Sequence, residues 1–207
     1  IDDIIDGLVR DETLNFIYGP PGCGKSTLAM SLAAILAAGG QDFFNHDVEP
    51  TKVLYLAAED LTGVYNRSIA VREHYGLKDT DLIGVVDAQN LALHKVDQEE
   101  LADAIQSRFN YFDEVVTDNG GDPDEVYSRC LIYDTLSALT PGAQENSSSD
   151  MSAAIQTIRY VQKKNRALSF VIHHSGKDAS RQMRGHTLIT GTADNIFAVS
   201  NHQNRFQ

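Results

Sequence analysis

A glycine-rich segment at residues 19–26 carries the strongest chemical signal in this sequence. It reads Gly19-Pro20-Pro21-Gly22-Cys23-Gly24-Lys25-Ser26. Its spacing of glycine, lysine and serine, between a strand-like run and a helix-like run, is that of a phosphate-binding loop. Glycines let consecutive backbone N–H groups point at phosphate oxygens, and the following helix adds its positive amino-terminal end. The segment predicts that Lys25 contacts the β- and γ-phosphates of ATP, that Ser26 is a ligand of Mg²⁺, and that Thr27 lies on the α-phosphate side.

Carboxylates follow two apolar, strand-like runs elsewhere in the chain. Asp134 comes directly after Cys130–Tyr133. Glu59 and Asp60 stand at the end of Val53–Ala58. Ligands of parallel sheets bind at the carboxyl ends of the strands, so these acids are expected beside the glycine-rich loop. Asp134 is predicted to hold Mg²⁺ through its water shell, and Glu59 to polarise the attacking water as a general base. Asp60 is expected either to support that carboxylate or to cap the next helix.

The elements that must position these side chains alternate between strand-like and helix-like patterns. Apolar runs of strand length are Thr13–Tyr18, Val53–Ala58, Leu82–Val86, Cys130–Tyr133, Leu168–Ile172 and Ile196–Val199. Apolar residues recur at helical spacing in Lys25–Ala38, Gly63–Tyr75, Gln98–Val116 and Met151–Lys164. Strands that are apolar throughout and separated by helices predict an α/β fold with a mainly parallel twisted sheet, covered by helices on both faces. Residues 117–128 are expected to form a surface loop.

Composition narrows the class of protein. The chain has 207 residues, a formal charge of −12 and 42% hydrophobic residues, which fits one globular domain. No stretch approaches the roughly 18 apolar residues of a membrane span, and residues 1–12 are acidic where a signal peptide would be basic. Cys23 and Cys130 give no indication of a disulfide framework. A cytoplasmic protein without a membrane segment is predicted, and the acidic excess excludes a coat that binds nucleic acid over its whole surface.

The charge is distributed unevenly along the chain. Residues 97–125 contain ten acidic side chains and one basic one, which is typical of a solvated helix followed by a loop. Residues 163–184 contain six basic side chains and one acidic one. Three of the basic residues, Lys163, Lys164 and Arg166, either complement the dipole at a helix carboxyl end or contribute to contact with a nucleic acid. The others lie beyond the fifth strand-like run and leave room for a local site that binds a polynucleotide.

Taken together, these motifs resemble the RecA-like P-loop ATPase superfamily, and most of all its branch with the RepA-type hexameric helicases and related AAA domains. The resemblance to KaiC and DnaB is more distant. The motifs that carry the resemblance are GPPGCGKS, YLAAED, LIYDT, Glu145-Asn146 before Asp150-Met151, and the segment 171–178 followed by Arg184-Gly185. The resemblance implies a single RecA-like core over residues 1–207, ending before the last strands of the family domain, that works as a homo-oligomer, a hexameric ring.

Several residue roles follow only from this resemblance. His174, or His173 in the alternate register, is expected to sense the γ-phosphate. Arg67 is expected to lie against the nucleotide base. Residues 175–192 are expected to form a loop that points into the ring channel, where single-stranded DNA or RNA passes. The cations of this loop are candidates either for nucleic-acid contact or for an arginine finger that acts on a neighbouring subunit; they are Lys177, Arg181 and Arg184.

Two classes of function remain open at this point, and two others are disfavoured. The first open class is a Mg·ATP-hydrolysing motor, a DNA helicase or translocase in replication or recombination. The second is a nucleotide-gated regulatory ATPase similar to KaiC, whose partner is a protein. A small-molecule kinase is disfavoured because no arginine-rich lid is evident. A metal site at His173-His174 is disfavoured because no third ligand has suitable spacing.

Overall fold

The fold is described from a computed structural model of the chain. The structure describes residues 2–40, 43–77, 82–118, 120, 122–123, 128–143, 148–174 and 186–200. The strands are β1 (Asp3–Ile5), β2 (Val9–Arg10), β3 (Leu14–Gly19), β4 (Thr51–Ala57), β5 (Ile83–Asp87), β6 (Ser128–Asp134), β7 (Leu168–His174) and β8 (Asn195–Ala198). The helices are α1 (Lys25–Ala38), α2 (Leu61–Tyr75), α3 (Gln98–Asp118), α4 (Ser148–Asn165) and α5 (His186–Thr192).

Six strands form one sheet in the order β5-β4-β6-β7-β3-β8, and all of their pairings are parallel. Consecutive strands along the chain are joined through helices, as parallel pairing requires. The carboxyl ends of β3, β4, β6 and β7 therefore meet at one edge. This edge carries the glycine-rich loop and the predicted carboxylates.

Apolar residues on both faces of the strands explain why helices cover the sheet on both sides. Along β4, Val53, Tyr55 and Ala57 pack into one core cluster together with α1 residues such as Met30. Alternate β4 residues pack into the second cluster with α3 and α4, for example Leu54. This arrangement confirms the α/β prediction, and the predicted bounds of α1 match the observed ones. No helix in the described ranges is both long and apolar enough to span a membrane.

The structure corrects the sequence analysis at two elements. An antiparallel pair, β1 and β2, precedes β3 and was not predicted. Its strands are too short to show a period, and its turn is closed by the Asp3 carboxylate, which accepts a hydrogen bond from Gly7 N at 2.9 Å. The predicted loop 175–192 ends in helix α5 rather than in irregular chain. The β-branched residues and glycine of α5 have low helix propensity, so tertiary contacts such as the burial of Ile189 support the helix.

Candidate nucleotide site

The glycine-rich loop connects the end of β3 to the start of α1. Two of its glycines adopt positive φ, Gly22 at 73° and Gly24 at 91°, which L side chains rarely tolerate. Gly24 is the N-cap of α1 and supplies no side-chain hydrogen bond to the helix. The N–H groups of the first helical turn are thus not capped by a side chain, which is the arrangement that binds phosphate at a helix start. Gly19 is required for a different reason: a Cβ there would lie 2.2 Å from the carbonyl oxygen of Val199.

Lys25 lies inside this loop. Its ammonium donates hydrogen bonds to the carbonyl oxygens of Gly19 (3.0 Å) and Pro20 (2.8 Å), and it lies 3.8 Å from the sulfur of Cys23. The residue is 4% exposed. The loop therefore encloses the ammonium group of Lys25, which could pair with an anionic ligand bound by the loop. Contact with the β- and γ-phosphates remains a prediction.

A hydrogen-bonded group joins the loop to strands β4 and β6. The Ser26 hydroxyl donates to Oδ1 of Asp134 at 3.2 Å, and the Tyr55 hydroxyl donates to Oδ2 of the same carboxylate at 2.5 Å. Burial raises the pKa of Asp134, the hydrogen bonds from Tyr55 and Ser26 oppose that rise, and the nearby charge of Glu59 adds to it. Burial, and then the charge of Asp134, raises the pKa of Tyr55, so its hydroxyl remains a donor at neutral pH.

Glu59 and Asp60 follow β4 and serve different purposes. Glu59 is exposed, and its Oε1 accepts a hydrogen bond from the Thr135 hydroxyl at 2.7 Å. That bond orients the carboxylate beside Asp134 while leaving it open to water. Asp60 is the N-cap of α2, accepting from Gly63 N at 3.0 Å, so the capping alternative is the one observed. Arg67 Nη2 lies 3.6 Å from Asp60 Oδ2, which places the predicted base-contact residue beside the same strand end.

The two histidines end β7 next to the loop. In the parallel register of β3 and β7, His173 is opposite Tyr18 and His174 is opposite Gly19. His174 is thus adjacent to the residue whose carbonyl accepts from Lys25. Its Nδ1 is buried and has no hydrogen-bond partner among the described residues. No group of three or more His, Cys, Asp and Glu side chains able to hold a metal occurs within the described ranges. The sensor role of His174 stays a prediction.

The donor set fits a magnesium ion. Ser26 and Asp134 present a hydroxyl and a carboxylate oxygen 3.2 Å apart, and oxygen donors of this kind are what Mg²⁺ takes in nucleotide sites, together with phosphate oxygens and water. The loop with its two positive-φ glycines stands beside them. The residues of the structure are therefore compatible with the Mg·nucleotide that the motif predicts.

Some of the predicted residues cannot be placed relative to this site. Lys177, Arg181 and Arg184 lie outside the described residues, as do Glu145 and Asn146. Lys164 at the end of α4 pairs with Glu99 of α3 at 3.2 Å, which agrees with its interpretation as an ordinary helix-end charge.

Two residues of the site were missed in the sequence. Tyr55 lies within an apolar run, and only the register of β4 on β6 reveals that its hydroxyl meets Asp134. Thr135 follows Asp134 directly, and this position next to the acid that ends the strand could have identified it as a residue of the site. Both supply hydroxyl groups that bind the carboxylates of the site.

Comparisons with known proteins point in one direction. Residues 1–180 match the family model described as an AAA domain. A segment of 73 residues is 34% identical to the DNA repair and recombination protein RadB of Methanobrevibacter smithii; it covers 33% of this chain and 31% of that protein. The crystal structure of a KaiC-like protein from the hyperthermophilic archaeon Pyrococcus horikoshii OT3 has a similar fold, with a TM-score of 0.52 and 14% identity over 99% of this chain and 78% of that one.

Proposed function

The chain belongs to the AAA-domain family, within the RecA-like P-loop ATPase superfamily. From this premise we propose that it hydrolyses Mg·ATP at the candidate nucleotide site as the motor of a ring-forming DNA helicase or translocase. The observation that carries the proposal is the meeting of three groups at one sheet edge. These are the buried ammonium of Lys25, the Ser26–Asp134 pair and the exposed carboxylate of Glu59.

In this proposal the loop binds the triphosphate. Gly22 and Gly24 present backbone N–H groups, Lys25 contacts the β- and γ-phosphates, and Thr27 lies on the α-phosphate side. The start of α1 has no side-chain cap, so its N–H groups are available to the phosphate oxygens. Arg67 contacts the base from α2, where its guanidinium lies 3.6 Å from Asp60.

The chain's own acids perform the hydrolytic work. Ser26 and Asp134 hold Mg²⁺, which when bound neutralises charge on the β- and γ-phosphate oxygens. Glu59 orients the attacking water and accepts its proton, since its carboxylate is exposed and is fixed by the Thr135 hydroxyl. His174 lies beside Gly19 at the end of β7 and senses whether the γ-phosphate is present.

The role on DNA has weaker and separate support. The first support is the 73-residue segment that resembles RadB, because RadB is described as a DNA repair and recombination protein. The basic residues Lys177, Arg181 and Arg184 follow β7, where the RecA-like resemblance expects a channel loop. We place single-stranded DNA there, in a homo-oligomeric, hexameric ring. A cytoplasmic location belongs to the same proposal, and free cysteines such as Cys23 are what a reducing compartment favours.

The motor function is tested by steady-state ATP turnover of the assembled protein with and without an oligo-dT strand. We expect the strand to stimulate turnover, and added salt to reduce the stimulation, because phosphate contacts release counterions. The double variant Lys177→Ala/Arg181→Ala should lose stimulation, and its salt slope should fall by about one for each phosphate contact removed. The matched control is Lys163→Ala/Lys164→Ala, which removes the same charge from the end of α4 and should remain stimulated.

Absence of stimulation by any single-stranded polynucleotide, in a protein shown by light scattering to be assembled, would contradict the motor proposal. ATP turnover that persists without such stimulation would instead favour the regulatory class of ATPase.

A further inference from the structure

Tyr55 is a buried tyrosine whose position on β4 aims it at the candidate nucleotide site. It is fully buried. In the parallel register of β4 and β6 it lies opposite Ile132. Because side chains alternate along a strand, Asp134 is on the same face of β6 as Ile132 and therefore on the face of Tyr55. That face is the one covered by α1, whose first turn contains Ser26.

The hydrogen bonds around Asp134 divide its two oxygens between two donors. Tyr55 donates to Oδ2 at 2.5 Å, and Ser26 donates to Oδ1 at 3.2 Å. A carboxylate with a single donor can rotate about its last side-chain bond, whereas one with a separate donor on each oxygen is held in one orientation. Oδ1 is thereby directed toward Ser26, the other predicted ligand of Mg²⁺.

We propose that Tyr55 is a positioning residue for magnesium: its hydroxyl holds Oδ2 of Asp134 and so presents Oδ1 to the ion that Ser26 and Asp134 bind. This inference rests on the proposed function, because it assumes a Mg·nucleotide at this site. Tyr55 does not contact the nucleotide and acts only through Asp134. Partners that orient metal ligands in this way typically change metal affinity by about 10- to 100-fold when removed.

The chain offers a matched control in Tyr133. Tyr133 neighbours Asp134 on β6, is as fully buried as Tyr55, and packs in the core on the other face of the sheet. Its hydroxyl has no hydrogen-bond partner among the described residues. Tyr133→Phe therefore removes a buried phenol hydroxyl that does not bond to Asp134, and Tyr55→Phe removes one that does.

The test titrates Mg²⁺ into the full chain in the presence of a fluorescent ADP analogue, with the metal-free affinity measured in EDTA. For Tyr55→Phe we expect unchanged metal-free ADP affinity and a Mg²⁺ requirement that is raised about 10-fold or more. Tyr133→Phe should titrate like the wild type. In an Asp134→Asn background, Tyr55→Phe should have no further effect on the Mg²⁺ titration, since Tyr55 acts through that carboxylate. This double variant also avoids leaving a buried charge with one donor fewer.

Three results would overturn the inference while leaving the proposed function intact. They are an equal Mg²⁺ titration for Tyr55→Phe and Tyr133→Phe, an equal loss of ADP affinity with and without Mg²⁺, and a full effect of Tyr55→Phe in the Asp134→Asn background. A wild-type protein that binds no nucleotide under either condition would overturn the proposed function, and the inference with it.

Discussion

Asp134 is a buried carboxylate with one hydrogen-bond donor on each oxygen, Tyr55 and Ser26. The residue is 3% exposed, and burial raises its pKa in spite of the two hydrogen bonds. The fold therefore disfavours the charge that the proposed metal site requires. Such a conflict between stability and a charged group is common where a side chain serves a ligand rather than the fold.

This conflict predicts a pH-dependent gain in stability for Asp134→Asn in the metal-free protein. The folded-state pKa of Asp134 lies above its ordinary value of 3.8. Its contribution to stability is therefore fully present below pH 3.8 and is lost as pH rises through the folded-state pKa. Asparagine does not titrate, so the free energy of unfolding of the variant should rise relative to the wild type as pH rises above 3.8 and through the folded-state pKa of Asp134, by about 1.4 kcal/mol for each unit by which that pKa is raised.

Urea denaturation at several pH values in EDTA measures this difference. Asp118→Asn, at the exposed end of α3, is the control for a carboxylate on the surface. A difference between Asp134→Asn and the wild type that stays constant or shrinks as pH rises would contradict the account.

Helix α3 contacts the sheet through an ion pair that lies far from the candidate nucleotide site. The acidic run 97–125 was interpreted as a solvated helix followed by a loop, and the helix is present from Gln98 to Asp118. Asp113, however, is not simply solvated. It forms an ion pair with Lys52, whose side chain is 4% exposed and also donates to the carbonyl oxygen of Pro123 at 3.1 Å. The ion pair connects α3 to the amino end of β4, at the opposite end of the strand from the candidate nucleotide site.

Removal of this partner should destabilise the fold. Asp113→Ala leaves the Lys52 ammonium buried without its carboxylate, and we expect the free energy of unfolding to fall by about 3 kcal/mol. ATP turnover of the folded fraction should be unchanged, because the pair lies at the opposite end of the strand. Urea denaturation measures the loss. The neighbouring exposed residue provides the control Glu114→Ala, with an expected change within about 0.5 kcal/mol. Equal stability of the two variants would count against a structural role for the pair.

Elements with strong local signals were predictable from the sequence, and those that depend on tertiary contacts were not. α1 was predicted at Lys25–Ala38, where it is observed, because the phosphate-loop motif marks its start and two glycines mark its end. Strand β6 was also predictable, because its apolar run Cys130–Tyr133 ends in an acid, although the observed strand extends over Ser128–Asp134. By contrast, the short strands β1 and β2 and the helix α5 have no periodic pattern of their own. The contact of Tyr55 with Asp134 depends on cross-strand register, which a single sequence does not contain.

In the whole molecule, the acidic residues of α3 and the candidate nucleotide site lie in different places. The formal charge of −12 includes the acidic residues of α3, and α3 packs on the face of the sheet opposite α1. The candidate nucleotide site lies at the edge formed by the carboxyl ends of the strands, where the loop, the acids that follow β4 and end β6, and the end of β7 meet. The net charge therefore argues against a protein that binds DNA over its whole surface. It is compatible with a motor that contacts single-stranded DNA through a few basic residues after β7.

The most direct test of the account is ATP hydrolysis by Glu59→Gln, measured together with ATP binding. The account predicts that the variant binds Mg·ATP like the wild type and that its turnover falls by about 100-fold or more, because the general base is lost. Glu114→Gln, the same change on the exposed face of α3, should hydrolyse ATP at the wild-type rate. A Glu59→Gln variant that turns over ATP as fast as the wild type would contradict the assignment of this edge as the hydrolytic site.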